Sequence, residues 1–248
     1  MKSYGMTDIG CVRAENQDYI YYTDEPIGML DNLYIVADGM GGHNAGSYAS
    51  KFTTDRLVEN ARKSEGWDIV SFLKNVLKQI NDEILEIGRR DLQYTGMGTT
   101  VVACSVKERK AYIVNVGDSR CYRIKNDEME QISVDHSYVQ ELVDAGVITK
   151  EEAREHPKKN IITRAVGAPK ELEADHFIVD LDENEYLLLC SDGLHGMVEE
   201  EKIKEVVTSD RSLEEKTKEL IEEAKSNGGR DNISLVLLTL GNRGDEAC

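Results

Sequence analysis

Aspartates next to or near glycines recur at the edges of short apolar segments, where a group of carboxylates could bind divalent cations. Such aspartates border segments 33–37, 112–116, 186–190 and 233–240, and they are Asp38, Asp118, Asp192 and Asp231. Short apolar segments bounded by glycine predict buried strands. Asp231 precedes its strand whereas the others follow theirs, so an antiparallel last strand would bring all of them to one edge of a sheet.

Carboxylates gathered at one edge repel each other. Two unit charges about 4 Å apart cost roughly 4 kcal/mol at an effective dielectric of about 20. Glycine beside Asp38, Asp118 and Asp192, and two residues before Asp231, lets the backbone turn sharply and approach a ligand closely. The pattern therefore predicts a cation site, and a set of oxygen ligands suits magnesium or manganese.

Asp18 and Arg13 extend this candidate site. Asp18 opens a predicted strand at 18–22, and Arg13 lies shortly before it in an acidic neighbourhood. A single aspartate at a strand start is typical of a turn, which remains the alternative for each position alone, but the repetition favours metal binding. Arg13 is either a surface arginine or a planar donor that grips a phosphate. An arginine beside a two-metal carboxylate site is typical of phosphoester hydrolysis.

The composition limits the classes of function. A chain of 248 residues is one large domain or two small ones, and the formal net charge of −17 argues against nucleic acid or an anionic membrane as a partner. An odd number of cysteines without a Cys-x-x-Cys pair, and no apolar signal segment, predict a reduced, cytoplasmic protein. The histidine spacing fits no zinc site, and segment 180–191 departs from a calcium-binding loop at Glu185 and Ser191.

The predicted elements follow an α+β order rather than regular βαβ alternation. Strands are predicted at 3–9, 18–22, 33–37, 99–106, 111–116, 120–124, 130–132, 176–179, 186–190 and 233–240, and helices at 45–61, 69–87, 137–145, from 150 to before Pro157, and from 213 to before Asn227. We expect a single domain over 1–241 with a flexible tail at 242–248. Segment 137–172 is polar and irregular, which predicts a flap or surface insertion.

The order of motifs along nearly the whole chain resembles that of the metal-dependent serine/threonine protein phosphatases, the type 2C or PPM family, and especially its compact bacterial members. The motifs are Glu15-Asn16-Gln17-Asp18, Asp38-Gly39-Met40-Gly41-Gly42, Gly98-Thr99-Thr100, Gly117-Asp118-Ser119-Arg120, Asp135-His136-Ser137, residues 160–167, Ser191-Asp192-Gly193-Leu194 and Asp231-Asn232. Each motif alone is weak, whereas the ordered set is highly specific.

The resemblance implies a four-layer αββα sandwich of two mostly antiparallel sheets flanked by helices. It also implies two Mn²⁺ or Mg²⁺ ions at one end of the sandwich and a third beside them. Asp38 would bridge the two core ions, and the Gly39 carbonyl would bind one of them. Asp192 and Asp231 would complete the coordination of the second ion.

Further roles follow from the same resemblance. Asp18 would support the site through metal-bound water, and Asp118 would hold the third ion together with Asp192. Arg13 would grip the substrate phosphate. Segment 137–172 would be the mobile flap of the bacterial members and a source of substrate choice.

We therefore predict a phosphatase that hydrolyses phosphoserine and phosphothreonine by direct attack of water, without a covalent enzyme intermediate. Its expected partners are phosphorylated proteins, including a serine/threonine kinase and its substrates, and it is expected to be a monomer. The alternatives are a catalytically inactive, cation-dependent regulatory module and a two-metal phosphodiesterase. Met40 stands where eukaryotic members carry a histidine proposed as the general acid, and that role is not transferred to the nearby His43.

Overall fold

Two antiparallel sheets lie face to face in the computed structural model, which describes residues 1–42, 44–126, 128–169 and 171–241. The first sheet has the strand order β1 (Lys2–Asp8), β11 (Ile233–Thr239), β10 (Tyr186–Cys190), β7 (Arg120–Lys125) and β8 (Glu128–Gln131). The second has the order β2 (Asp18–Thr23), β3 (Leu33–Met40), β5 (Val101–Lys107), β6 (Lys110–Val116) and β9 (Asp175–Asp180), with the short β4 (Gly98–Thr99) paired to β3.

Helices cover the outer face of each sheet. The second sheet packs against α1 (Ala45–Arg62) and α2 (Ile69–Arg90), and the first against α6 (Glu200–Thr208) and α7 (Leu213–Ser226). A third apolar cluster fills the space between the sheets and includes Val36, Cys121, Leu189 and Val236. This arrangement confirms the predicted α+β fold of two antiparallel sheets flanked by helices. Within the described ranges, no helix combines the length and apolar character needed to cross a membrane.

The helix α2 shows how local sequence sets these layers. The Asp68 side chain accepts a hydrogen bond from the Ser71 N–H at 3.0 Å and so caps the first turn. Apolar residues at helical spacing, among them Leu73 and Ile80, then form one buried stripe against the sheet. Because this stripe faces the second sheet, α2 shields its outer surface from water.

Strand register brings the predicted site residues to one end of the sandwich. On the antiparallel pair β2 and β3, Asp18 lies directly opposite Asp38. The strands β10 and β11 are also antiparallel, with Cys190 opposite Leu235, so Asp192 and Asp231 lie at the same end. The last strand is antiparallel to its neighbours, as the sequence interpretation required. The expectation of one edge of a single sheet was wrong, because Asp38 and Asp118 follow strands of the second sheet whereas Asp192 and Asp231 border strands of the first.

The sequence periodicity predicts no helix between 191 and 212, yet α5 (Asp192–His195) and α6 lie there. The charged start Glu199-Glu200-Glu201 is typical of a solvated loop, and it hides the helical spacing of Ile203, Val206 and Val207, which are buried. The structure also divides the predicted strand 99–106 at Thr100. The N–H and hydroxyl of Thr100 bond to the main chain of Asp38 instead of continuing a regular ladder.

Segment 137–172 contains two structurally different parts. Residues 138–161, here called the flap segment, contain α3 (Tyr138–Asp144) and α4 (Lys150–Glu155). The two ends of the flap segment meet, because the Tyr138 N–H donates to the Ile161 carbonyl at 2.8 Å. A capping box formed by Thr149 and Glu152 begins α4. Residues 162–169 instead join the body, because Val166 is fully buried and pairs with Thr99. A role of the flap segment in substrate choice, and the single domain over 1–241, stay predictions, and the tail at 242–248 lies outside the described residues.

Candidate metal centre

Asp38 is fixed near the end of β3 by hydrogen bonds of its own main chain. Its N–H donates to Thr100 Oγ1 at 3.0 Å, and its carbonyl accepts from the Thr100 N–H and the Thr99 hydroxyl, each at 2.8 Å. A Cβ at Gly39 would lie 2.1 Å from the Gly46 carbonyl oxygen, so only glycine allows α1 to approach β3 this closely. The position of the Asp38 carboxylate is therefore set by buried backbone contacts.

Asp18 is almost fully buried opposite Asp38. Its Oδ2 accepts a hydrogen bond from the Ser191 hydroxyl at 2.7 Å. Ser191 Oγ in turn accepts from the Ser234 N–H at 3.0 Å, and the Ser191 N–H donates to the Ser234 carbonyl at 3.0 Å. Ser191 thus links β2 of one sheet to β10 and β11 of the other and fixes Asp18 relative to both.

Asp192 and Asp118 reach the same end from α5 and from the turn after β6. Asp192 is the first residue of α5, which is separated from β10 only by Ser191. Asp118 follows Gly117, whose φ of +101° is favourable for glycine, and a Cβ at Gly117 would lie 2.6 Å from the Thr100 side chain. Asp118 is buried in this tight turn, and burial, with the charge of nearby Asp192 adding to it, raises the pKa of Asp118.

Arg13 forms an ion pair with Asp231, with Arg13 Nη2 at 2.7 Å from Asp231 Oδ2. The loop that carries Arg13 is pinned by Asn232, whose Oδ1 accepts from the Gln17 N–H at 2.8 Å and whose Nδ2 donates to the Glu15 carbonyl at 2.9 Å. The Arg13 side chain is 51% exposed. The main chain of the Arg13 loop is therefore held in place, while the Arg13 guanidinium is accessible to an external anion.

Burial and mutual repulsion raise the pKa values of the clustered carboxyl groups. Burial raises the pKa of Asp18 to about 7, and burial together with the charge of Asp231 raises the pKa of Asp192 to about 6. Burial also raises the pKa of Asp38 well above its ordinary value, with Asp18 adding to the effect, and it does the same at Asp118, with Asp192 adding. Nearby positive charge would reverse these shifts, because it favours the ionised forms.

Carboxylate oxygens without partners test whether this group of residues fits divalent cations. Oδ1 of Asp18, of Asp118 and of Asp192 is buried and has no hydrogen-bond partner. Such buried acceptors are rare, and hard anionic oxygens are the ligands that magnesium and manganese prefer. Among the residues that the structure describes, no three His, Cys, Asp or Glu side chains already converge as a complete metal-binding group. The donor set fits ions whose coordination is completed by main-chain oxygen and water.

The structure brings together the aspartates and the arginine that the sequence predicts, and it adds supporting residues. Thr100, Ser191 and Asn232 lie within the motifs given above, but their hydrogen bonds join distant parts of the chain, so spacing alone does not reveal them. His195 lies just beyond a motif, and its Nε2 is 3.1 Å from the Asp118 carbonyl oxygen. His43 lies outside the described residues. The ligand roles of the aspartates stay predictions.

Comparison with known proteins identifies the family. A sequence model described as Protein phosphatase 2C matches residues 12–235. The chain belongs to the protein phosphatase 2C family. Its relatives include the serine/threonine phosphatase stp of Listeria innocua, which is 40% identical over 242 residues covering 94% of this chain and 93% of that protein. The family predicted from the order of motifs is confirmed.

Solved structures of protein phosphatase 2C relatives share the fold. Serine/threonine phosphatase Stp1 from Staphylococcus aureus has a TM-score of 0.90 and 36% identity, covering 97% of this chain and 95% of that one. The catalytic domain of the serine/threonine protein phosphatase PstP, solved in complex with 2 manganese ions, has a TM-score of 0.83 and 33% identity, covering 95% and 96%. The fold class and the enzyme class, serine/threonine phosphatase, are confirmed.

Proposed function

We propose that this member of the protein phosphatase 2C family hydrolyses phosphoserine and phosphothreonine in proteins, with Mn²⁺ or Mg²⁺ ions held at the aspartate end of the sandwich. The observation that carries the proposal is the set of buried, partnerless carboxylate oxygens of Asp18, Asp118 and Asp192 beside the exposed guanidinium of Arg13. The manganese complex of PstP supports a core of two ions.

Each aspartate has a proposed role toward the ions. Asp38 would bridge the core pair, with the Gly39 carbonyl on one ion and Asp192 and Asp231 on the other. Asp118 would hold a third ion together with Asp192. Divalent ions held there would acidify a water for attack on phosphorus.

Arg13 and Asp18 would act on the phosphate and on the water. Arg13 can offer a fork of N–H donors to two phosphate oxygens while Asp231 keeps the guanidinium in place. Asp18 Oδ2 is held by Ser191, so Oδ1 is left to accept a hydrogen bond from a water beside the ions. Together these contacts would align the phosphate with the attacking water.

Direct attack by water is favoured over a cysteine nucleophile. Cys104, Cys121 and Cys190 are buried, and burial raises the pKa of the Cys190 thiol to about 12. A thiol with such a pKa is protonated near neutral pH and is a poor nucleophile. Cys11 is exposed and lies near the Lys225 carbonyl oxygen, at 3.8 Å. Acid quenching during turnover of a ³²P-labelled phosphopeptide should therefore trap no labelled protein.

The proposal extends to partners and location. Phosphorylated proteins, including a serine/threonine kinase and its substrates, would be the substrates of a monomeric cytoplasmic enzyme. The net charge of −17 disfavours nucleic acid as a partner. Light scattering at assay concentration would test whether the protein is a monomer.

One experiment separates this function from its alternatives. The protein is stripped with chelator and then supplied with Mn²⁺, Mg²⁺ or no metal, and its hydrolysis of a phosphothreonine peptide and of bis(p-nitrophenyl) phosphate is measured. We expect the peptide to be hydrolysed with metal and not without it, and the diester to be the poorer substrate. Full activity after exhaustive chelation would contradict the metal requirement. Preference for the diester would indicate a phosphodiesterase, and inactivity toward both substrates would indicate a regulatory module.

A further inference from the structure

Two histidines contact the turn that carries Asp118. His136 bonds to Gly117 twice, because its Nδ1 lies 3.1 Å from the Gly117 nitrogen and its own N–H donates to the Gly117 carbonyl at 2.9 Å. His195 Nε2 lies 3.1 Å from the Asp118 carbonyl oxygen. The main chain is therefore held by one histidine before Asp118 and by another at Asp118 itself.

The partners of each ring fix which nitrogen carries the proton. A backbone N–H can only donate, so His136 Nδ1 is the accepting nitrogen and Nε2 carries the ring proton, 3.1 Å from Asp175 Oδ2. Arg164 Nη1 also lies 3.3 Å from Nε2, but it donates to Asp175 Oδ1 at 3.2 Å and does not alter this assignment. A carbonyl can only accept, so His195 Nε2 carries a proton. The two histidines thus make hydrogen bonds of opposite polarity to neighbouring residues.

Each histidine is anchored in a different part of the fold. His136 is buried, its ring is held by Asp175 on β9, and its carbonyl accepts from the Thr163 N–H at 2.8 Å. His195 ends α5, the short helix that begins with Asp192. His195 therefore ties the element that carries Asp192 directly to the turn that carries Asp118.

We propose that His195 and His136 are positioning residues that set the separation of the Asp118 and Asp192 carboxylates and thereby the affinity of this pair for a divalent ion. The inference rests on the proposed function, in which these carboxylates share the additional ion. Both carboxylates have a buried oxygen without a hydrogen-bond partner. His195 connects the two elements that carry them, and His136 holds the Gly117 turn against β9. Residues that orient metal ligands typically change metal affinity by about 10–100-fold when replaced.

The core ion pair should be much less sensitive to these histidines. The main chain of Asp38 is held by Thr99 and Thr100, and Asp231 is held by Arg13. Although Asp192 also belongs to the core pair, Asp38 and Asp231 are held by hydrogen bonds that involve neither His195 nor His136. The affinity for the core pair should therefore change less than that for the additional ion, and it serves as an internal reference. A general loss of structure would instead weaken all ions together.

Matched variants test the inference without substrate. At His195, the glutamine amide of His195→Gln can replace the Nε2–H donor, whereas His195→Leu removes the donor. At His136, the asparagine oxygen of His136→Asn can replace the Nδ1 acceptor, whereas His136→Leu removes the acceptor. Chelator-stripped full-length protein is titrated with Mn²⁺, and free Mn²⁺ is counted by electron paramagnetic resonance. We expect the leucine variants to raise the Kd of the weaker class of ions by about tenfold or more. The Kd of the tighter class should change much less, and His195→Gln and His136→Asn should bind like the wild type.

The outcomes separate this inference from the proposed function. Unchanged weaker-class binding in both leucine variants, or equal losses in His195→Leu and His195→Gln, would overturn the positioning role while leaving the metal centre intact. If the wild type bound no Mn²⁺, both proposals would be wrong. If circular dichroism shows that His195→Leu does not fold, the His136 pair of variants decides by the same criteria.

Discussion

The aspartate end of the sandwich and the flap segment are neighbours that are held in different ways. At the aspartate end, carboxylates at strand ends are fixed by buried hydrogen bonds, such as that from the Ser191 hydroxyl to Asp18 at 2.7 Å. In the flap segment none of residues 150–155 is buried, and α4 is tied to α6 through exposed ion pairs of Arg154 with Glu199 at 2.8 Å and Glu200 at 2.9 Å.

This difference separates two tasks of a phosphatase. Exposed ion pairs contribute only about 0–1 kcal/mol each. We therefore expect the flap segment to shift at small cost and to fit different protein surfaces. Buried, partnered groups hold their geometry, which is what metal ligands and a phosphate-binding arginine require. We therefore expect changes at the aspartate end to affect chemistry, and changes in the flap segment to affect the choice of substrate.

Asp38→Asn should have the largest effect, because it removes the proposed bridging charge. The ions supply several kcal/mol of transition-state stabilisation, and each 1.36 kcal/mol is a factor of ten, so kcat should fall by about 10³-fold or more. Calorimetric Mn²⁺ titration should show loss of the tight ions. Asp180→Asn, which changes the same charge at the exposed end of β9, is the control. Near-normal turnover by Asp38→Asn would exclude its bridging role.

Asp118→Asn should remove the additional ion while leaving the core pair of ions bound. The core ligands lie on other elements, so this variant should keep two ions and melt near the wild-type temperature. Its turnover should fall by about 10- to 100-fold, as is typical when a group that organises transition-state charge is lost. Crystals of the variant grown with Mn²⁺ provide the count of ions. Three ions in that structure, or wild-type turnover at low metal concentration, would leave Asp118 as a turn residue only.

Arg13→Ala should weaken phosphate binding while leaving the metal ions in place. Losing a charge-assisted contact of roughly 1.5–3 kcal/mol predicts a decrease in kcat/KM of about 10- to 100-fold. KM should rise as well if the contact already forms with bound substrate. Steady-state kinetics on several phosphopeptides is the measurement, and Arg62→Ala, at the exposed end of α1, is the control. Equal kinetics for the two variants would refute the assignment.

Replacing residues 139–160 with a short glycine-serine linker should test whether the flap segment affects the choice of substrate rather than the chemistry. The hydrogen bond between Tyr138 and Ile161 shows that a short linker can close this gap, and Val166 stays in the core. Hydrolysis of a small aryl phosphate should stay close to the parent value. Hydrolysis of whole phosphoproteins should fall by about tenfold, which corresponds to roughly 1.4 kcal/mol of lost binding. Equal losses on both substrates would make the flap segment part of the catalytic scaffold.

The sequence predicts best those strands and helices whose positions depend on patterns of neighbouring residues. Alternation of apolar segments with Asp-Gly locates the strand ends, and the apolar stripe from Ile69 to Ile84 predicts α2. The bond between Ser191 and Asp18 spans 173 residues, and that between His195 and Asp118 spans 77, so spacing along the chain does not predict them. The boundary within segment 137–172 was also beyond local patterns, because only pairing with Thr99 shows that Val166 belongs to the core.

The central claim is that the aspartate end binds divalent ions, and anomalous diffraction at the manganese edge tests it most directly. Crystals of the full chain are soaked at a Mn²⁺ concentration that supports full turnover. We expect strong peaks on both sides of the Asp38 carboxylate, within coordination distance of Asp192 and Asp231, and a weaker peak between Asp118 and Asp192. An anomalous map without a peak at these carboxylates would contradict the account.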